Sequence, residues 1–325
     1  MIVSCQHDFD GELSDCRYHP CQFKLTDITM KTIHIFALVL VAAIWGANFA
    51  VIKFGLLSTP PLALSTWRFV LAAVPACFFL ARPDMPLWRL VAIGMSLGTL
   101  MSTFQFVGMQ QGVTASASSV LLQSQAFMTI CLASLFLSEN TTARTWVALV
   151  LGGGGLLCFI VEHWGNATAF GMLMVCVAAF WWAVSNILMR GAKSVDPIAL
   201  IAWISLIPII PLGLFSMIFE RNESGAALFQ LSSAGVLSAL FLAYGVMIFG
   251  YGLWGFMLQR YTAPNVAPFS LLVPVFGIIF GVMIFGDNFT LIEVIGTTLL
   301  VISLAVNVLP YKQIKSALFP HKSRV

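Results

Sequence analysis

Four amides stand where an apolar sequence has least use for them. Gln123 and Gln125 lie near the middle of residues 116–129, S-A-S-S-V-L-L-Q-S-Q-A-F-M-T. Asn48 and Asn186 lie in two other apolar runs, each shortly after a tryptophan: W-G-A-N at 45–48 and W-A-V-S-N at 182–186. Moving a bare amide from water into an apolar medium costs about 2–7 kcal/mol, so such groups need a partner, a wet cavity or a ligand. Their chemistry is recognition: amides donate and accept, and suit the ammonium and carboxylate ends of a small zwitterionic metabolite. Catalysis is not indicated. No H-E-x-x-H, no buried acid pair and no serine with a histidine occurs at the middle of any apolar run, where hydrolysis would need one of them.

On an ideal helix Gln123 and Gln125 point about 200° apart. Gln123 then shares a face with Ser116 and Ser119, and Gln125 with Ser118 and Thr129. One face is expected to line a ligand path while the other bonds a neighbouring helix, and Gln123 is favoured for the path because its face is the more polar. In the plainer reading both amides are interhelical links, worth about 0.6–2 kcal/mol each. Asn48 and Asn186 either ligate the small molecule or fix an interface. Arg68 is placed to attract a carboxylate at an outer vestibule, whereas Lys53 is expected to snorkel to the membrane surface. Tyr251 and Trp254, with Trp181 and Trp182, are candidate walls, Trp182 and Tyr251 being the better placed, since aromatic faces accept ammonium groups. Trp88, Trp146 and Trp164 are expected in interfacial belts. Gly94-xxx-Gly98, Gly277-xxx-Gly281 and the glycine run at 152–155 are spaced for helix packing, and Pro274 is expected to kink its helix. No Asp, Glu or His lies mid-run, so neither a proton relay nor a cationic cargo is expected.

Transmembrane helices must position these groups. Only 9% of residues are charged and 59% are hydrophobic, against about 25% charged in soluble domains. The charges collect between apolar runs of about 18–22 residues, each long enough to cross a hydrocarbon core of about 30 Å. The fold class expected is an all-α polytopic membrane protein with about ten transmembrane helices. The spans expected are 33–53, 62–81, 88–109, 114–137, 145–162, 169–190, 198–219, 233–256, 264–285 and 290–309. Membrane lipid is thus a partner, and a net charge of +3 gives no reason for nucleic acid. Basic residues gather at one set of span ends (Lys31, Arg82, Arg89, Arg144, Arg190, Lys193, Arg260) and leave Lys53, Arg68 and Arg221 toward the other, which puts both termini in the cytoplasm.

The chain also repeats itself. The W-G-A-N and W-A-V-S-N segments correspond, Val120–Gln125 aligns with Ser270–Val275, and S-E-N at 138–140 resembles G-D-N at 286–288. Each half holds five spans, an odd number, so the halves lie in opposite orientations. Such inverted repeats recur in secondary transporters, with the site near mid-membrane between the repeats. The divisions expected are a cytoplasmic tail at 1–32 (or a start at Met30), repeats at 33–163 and 169–309, and a basic cytoplasmic tail at 310–325. Cys5, Cys16 and Cys21 with His7 and His19 fit no standard zinc spacing, so no metal or other cofactor is expected.

W-G-A-N-F-A-V-I-K (45–53), W-R-F (67–69), S-V-L-L-Q-S-Q-A-F-M-T-I (119–130) and V-A-P-F-S-L-L-V-P-V-F-G (266–277) together resemble the EamA family of the drug/metabolite transporter superfamily, over residues 33–309. The last two, with Gln259-Arg260-Tyr261, are most similar to the O-acetylserine/cysteine exporter branch. The resemblance implies a ten-helix inner-membrane exporter of small amino acids or related metabolites, working by alternating access. The substrate-binding candidates are then Gln123, Gln125, Asn48, Asn186, Arg68, Trp182 and Tyr251. Another amino acid, such as threonine, homoserine or an aromatic one, is the alternative cargo; a non-transporting receptor or scaffold is a remote alternative. Oligomeric state stays open.

Overall fold

The computed structural model describes residues 30–137, 143–162, 167–189, 195–222, 225–261 and 266–308. The tail cysteines and histidines, residues 138–140, Trp164 and the basic C-terminal tail lie outside them. Among the described residues the apolar runs become ten helices. They are α1 (Thr32–Leu56), α2 (Pro61–Cys77), α3 (Leu87–Gln110), α4 (Ala115–Phe136) and α5 (Ala143–Glu162). Then come α6 (Ala167–Met189), α7 (Pro197–Phe219), α8 (Ser233–Leu258), α9 (Phe269–Phe285) and α10 (Leu291–Val308). Six of them (α1, α3, α4, α6, α7 and α8) are long and apolar enough to cross a membrane, and the other four are shorter apolar helices. A two-residue antiparallel ladder, Arg221–Asn222 on Gly225–Ala226, is the only strand pairing among the described residues.

Local signals set the helix ends. Thr114 and Ser232 accept from Ala117 N and Gly235 N and so cap α4 and α8. Asp196 caps α7 ahead of Pro197, and Thr290 with Glu293 forms a reciprocal capping box on α10. Gly286, at φ 65°, closes α9 in the left-handed region that glycine enters most cheaply. Outward faces carry large apolar side chains such as Phe78, Phe79, Leu135, Val150, Met283 and Leu291. Apolar surface on that scale suits lipid, with the backbone polar groups satisfied inside the helices.

The packing has a plain regularity. α5 lies along α10, α1 along α9, α4 along α6, α3 along α6, α8 along α1, and α2 along α7. Exchanging each helix for the one five places along maps this set of pairings onto itself. The irregular stretches follow the same exchange. α3 is a π-helix over Gly94–Met101 and α8 over Phe241–Gly250; α4 tightens to a 3-10 turn at Leu122–Ser124, and a 3-10 turn at Ala267–Leu271 leads into α9.

Glycines mark the closest approaches. Gly277 and Gly281 of α9 lie against Ser119 and Ser116 of α4, and Gly94 and Gly98 of α3 lie against Ile207 and Pro208. There α7 breaks between Ile204 and Ile209. Pro274 lies just past the change from the 3-10 turn to regular α-helix at Leu272, in the first turn of that regular stretch.

Candidate functional site

α2 starts at a Pro-Pro pair and turns Arg68 inward against α3. The side chain is 7% exposed, and one terminal nitrogen donates to Ser102 Oγ at 2.7 Å. The guanidinium lies 4.5 Å from the Phe69 ring centre and 5.0 Å from that of Phe106. Tyr251 of α8 is within electrostatic range, and no acid among the described residues is. Arg68 Nε is buried without a hydrogen-bond partner. The expected outer vestibule gives way to a seat inside the bundle, because two rings and a hydroxyl hold the guanidinium between α2 and α3. An intramembrane charge costs about 2.5–3.5 kcal/mol on insertion scales, and a desolvated cation–π contact returns about 2 or more. Among the described residues no acid pairs with the charge.

The amides divide. Asn186 Nδ2 donates to Gln125 Oε1 at 2.8 Å and to Thr129 Oγ1 at 3.1 Å, joining α6 to α4. Gln123 looks the other way, into a small cleft shared with Leu300, Ser303 and Leu304 of α10. The 3-10 turn at Leu122–Ser124 raises the rotation to about 120° per residue but keeps the two glutamines on different sides. Asn48 makes no hydrogen bond to Asn186; its Oδ1 is buried and unpartnered.

Aromatic side chains join α1 to α8. The Trp45 ring centre lies 5.0 Å from that of Tyr251 and 5.2 Å from that of Trp254, and Trp45 Nε1 donates to Val246 O at 3.4 Å. Trp182 is on α6, one turn before Asn186, and packs on the main core. The contacts form an Arg68–Ser102 seat lined by Phe69 and Phe106, a Trp45–Tyr251–Trp254 cluster, and an Asn186–Gln125–Thr129 set one turn from Trp182, with Gln123 in none of them.

Where α2, α4 and α8 begin, polar contacts tie the helices together. Asp287 accepts from Ser116 N at 3.0 Å at the start of α4. Lys53 Nζ donates to Met109 O at 3.1 Å at the end of α3, within the field of Asp287. Lys53 thus docks on the last carbonyls of α3, which lack helical partners and carry the helix's negative pole. Glu220, just past α7, accepts from Leu62 N at 2.7 Å, Ala63 N at 2.9 Å and Ser216 Oγ at 2.8 Å. Burial pushes its carboxyl above the ordinary value and outweighs the hydrogen bonds from Leu62, Ser216 and Ala63.

Residues 32–161 and 169–309 match the EamA-like transporter family. The chain belongs to that family. Two relatives carry the name "Probable amino-acid metabolite efflux pump". That of Salmonella typhimurium is 35% identical over 289 residues, 87% of this chain and 97% of its own length. That of Escherichia coli is 35% identical over 276 residues, 83% and 92%. A solved crystal structure matches with a TM-score of 0.61 over 88% of this chain and all of its own, at 15% identity, a likeness of fold alone.

In this EamA transporter three functional candidates escape sequence reasoning. Ser102 and Gln105 look like ordinary polar residues of a span, and Trp45 serves only as part of a repeat motif. One signal was available: Ser102 and Phe106 are i and i+4 on α3, so a hydroxyl and a ring share one face. That this face meets Arg68 depends on the packing of α2 against α3.

Proposed function

We propose that this EamA transporter exports small amino acids or closely related metabolites, of the cysteine and O-acetylserine kind, across the inner membrane. In this reading all ten helices span the bilayer, five in each of two inverted repeats, residues 33–163 and 169–309, and both termini face the cytoplasm. The pairing pattern that survives a five-helix exchange supports it. The two halves rock about a mid-depth path that runs past the separate groups of Arg68, of Tyr251 and of Asn186, Gln125 and Trp182, with Asn48 on α1.

One observation carries the choice of cargo. Among the described residues the polar groups buried at depth are amides, hydroxyls and one cation, while Glu220, Asp287 and Glu293 sit at helix ends. Such a lining suits a carboxylate-bearing zwitterion and opposes a cation. The names of the two 35% relatives point the same way.

The test is efflux of labelled cysteine and O-acetylserine from loaded proteoliposomes. Wild type should move at least one of them; Gln125→Ala and Asn186→Ala should slow it, and Gln123→Ala should not. Absence of flux across those two and a wider amino-acid panel would sink the proposal.

A further inference from the structure

We infer that the Arg68 guanidinium, seated on Ser102 of α3 between the Phe69 and Phe106 rings, binds the carboxylate of the transported metabolite. This rests on the exporter reading and adds which end of the cargo is gripped, and by what. The guanidinium is a rigid fork of five donors that matches two carboxylate oxygens. One terminal nitrogen is engaged by a neutral hydroxyl, and Nε is buried and idle. No carboxylate among the described residues balances the charge, so an entering anion would complete the site without displacing a resident acid. On the same stretch of α3, one turn past Ser102, Gln105 is 1% exposed and its Nε2 is also unpartnered.

The backbone around the site points the same way. Ser102 is the first residue after the π-helix of α3, and Tyr251 the first after that of α8. Long π stretches are rare, and π-bulges are frequent at functional sites. The two stretches are partners under the five-helix exchange; that of α3 ends at the hydroxyl bonded to Arg68, and that of α8 ends at Tyr251, which packs on Trp45. The ammonium of a bound amino acid would then rest on the aromatic faces of Trp45 and Trp254, reached past Tyr251.

Cysteine and cysteamine differ by the carboxylate and make the probe pair. With full-length protein in detergent, cysteine and acetate should raise the wild-type melting temperature, while cysteamine and chloride should not. Arg68→Gln should weaken cysteine binding by about 100-fold, the usual scale for removing one partner of a buried charged contact. Arg68→Lys should restore part of it, keeping the charge and losing the fork. Should Arg68→Gln fail to fold, Ser102→Ala and Tyr251→Phe provide milder variants, expected to weaken cysteine binding severalfold and leave cysteamine unaffected. Wild-type cysteine affinity in a folded Arg68→Gln, equal handling of cysteine and cysteamine, or no response of wild type to any carboxylate would overturn the inference. Stabilisation by chloride as strong as by acetate, without competition from cysteine, would also overturn it, marking a site for an inorganic anion. Proteoliposome flux separates the two readings: flux insensitive to Arg68→Gln removes the inference and leaves the exporter, whereas Arg68-dependent cysteine binding without flux of any amino acid supports the carboxylate site and removes the exporter.

Discussion

Replacing Gly281 of α9 by alanine should cost the folded protein about 2–4 kcal/mol, while Gly153→Ala on α5 should be neutral or slightly stabilising. A Cβ on Gly281 would collide with Ser116 Oγ, and would lie 2.6 Å from Asp287 Oδ2 and 2.9 Å from Ser116 N. The last is backbone, so α9 and α4 would have to separate. Overpacking of this kind costs about 1–3 kcal/mol. Pushing the carboxylate off Ser116 N forfeits a charge-assisted hydrogen bond, worth about 1.5–3 kcal/mol. One shift of α9 relieves the clash and breaks the bond together, so the two costs do not add fully. Gly153 meets nothing within 4 Å, and alanine gains about 0.5–1 kcal/mol of helix preference there. The pair cancels any general effect of adding a methyl group to an apolar helix. Reversible unfolding of both variants in mixed micelles, followed by circular dichroism, gives the comparison. Wild-type stability for Gly281→Ala, or equal damage from Gly153→Ala, would refute the close approach of α9 to α4.

Three further outcomes are expected. A double-mutant cycle of Asn186→Leu and Gln125→Leu should give a coupling of about 0.6–2 kcal/mol, the range for hydrogen bonds between membrane helices; zero coupling would mean the amides do not bond. Lys53→Met should destabilise by about 0.5–2 kcal/mol by uncapping α3, and Lys53→Arg by less, in the same unfolding assay. Because burial raises the Glu220 carboxyl above 4.5, the folded chain holds that proton to higher pH than the unfolded chain. Its contribution is therefore fullest below 4.5 and is lost as pH rises through the raised value. The stability of wild type relative to Glu220→Gln should fall over that window, and a pH-independent difference would contradict it.

The helices were readable because lipid imposes one rule on every stretch: long apolar runs closed by proline, glycine or charge. The close-packing glycines were readable for the same reason, since Gly277 and Gly281 at one-turn spacing leave a groove for a neighbour. Sequence spacing also required Gln123 and Gln125 to part, but not which would meet Asn186; that depended on α6, not α10, lying against the Gln125 face. The partners of Arg68 and Lys53 were not legible, because the rings of Phe69 and Phe106 and the last carbonyls of α3 come from packing that spacing does not encode. The π stretches left no trace in the hydrophobic pattern, because helices apolar on nearly every side do not reveal a change of winding.

A π stretch is a helix with a residue to spare, and the spare residue can travel. As it passes, the backbone beyond turns like a screw by about one residue's rotation, roughly 100°, while every peptide stays hydrogen-bonded and no hinge opens to lipid. In α3 and α8 the spare windings stop at Ser102 and Tyr251. Such a rotation in both helices would carry the Ser102 hydroxyl off the guanidinium and the Tyr251 ring off Trp45. Deleting one residue from each stretch would remove the slack, and the protein would then be held with its grip on Arg68 permanently set one way.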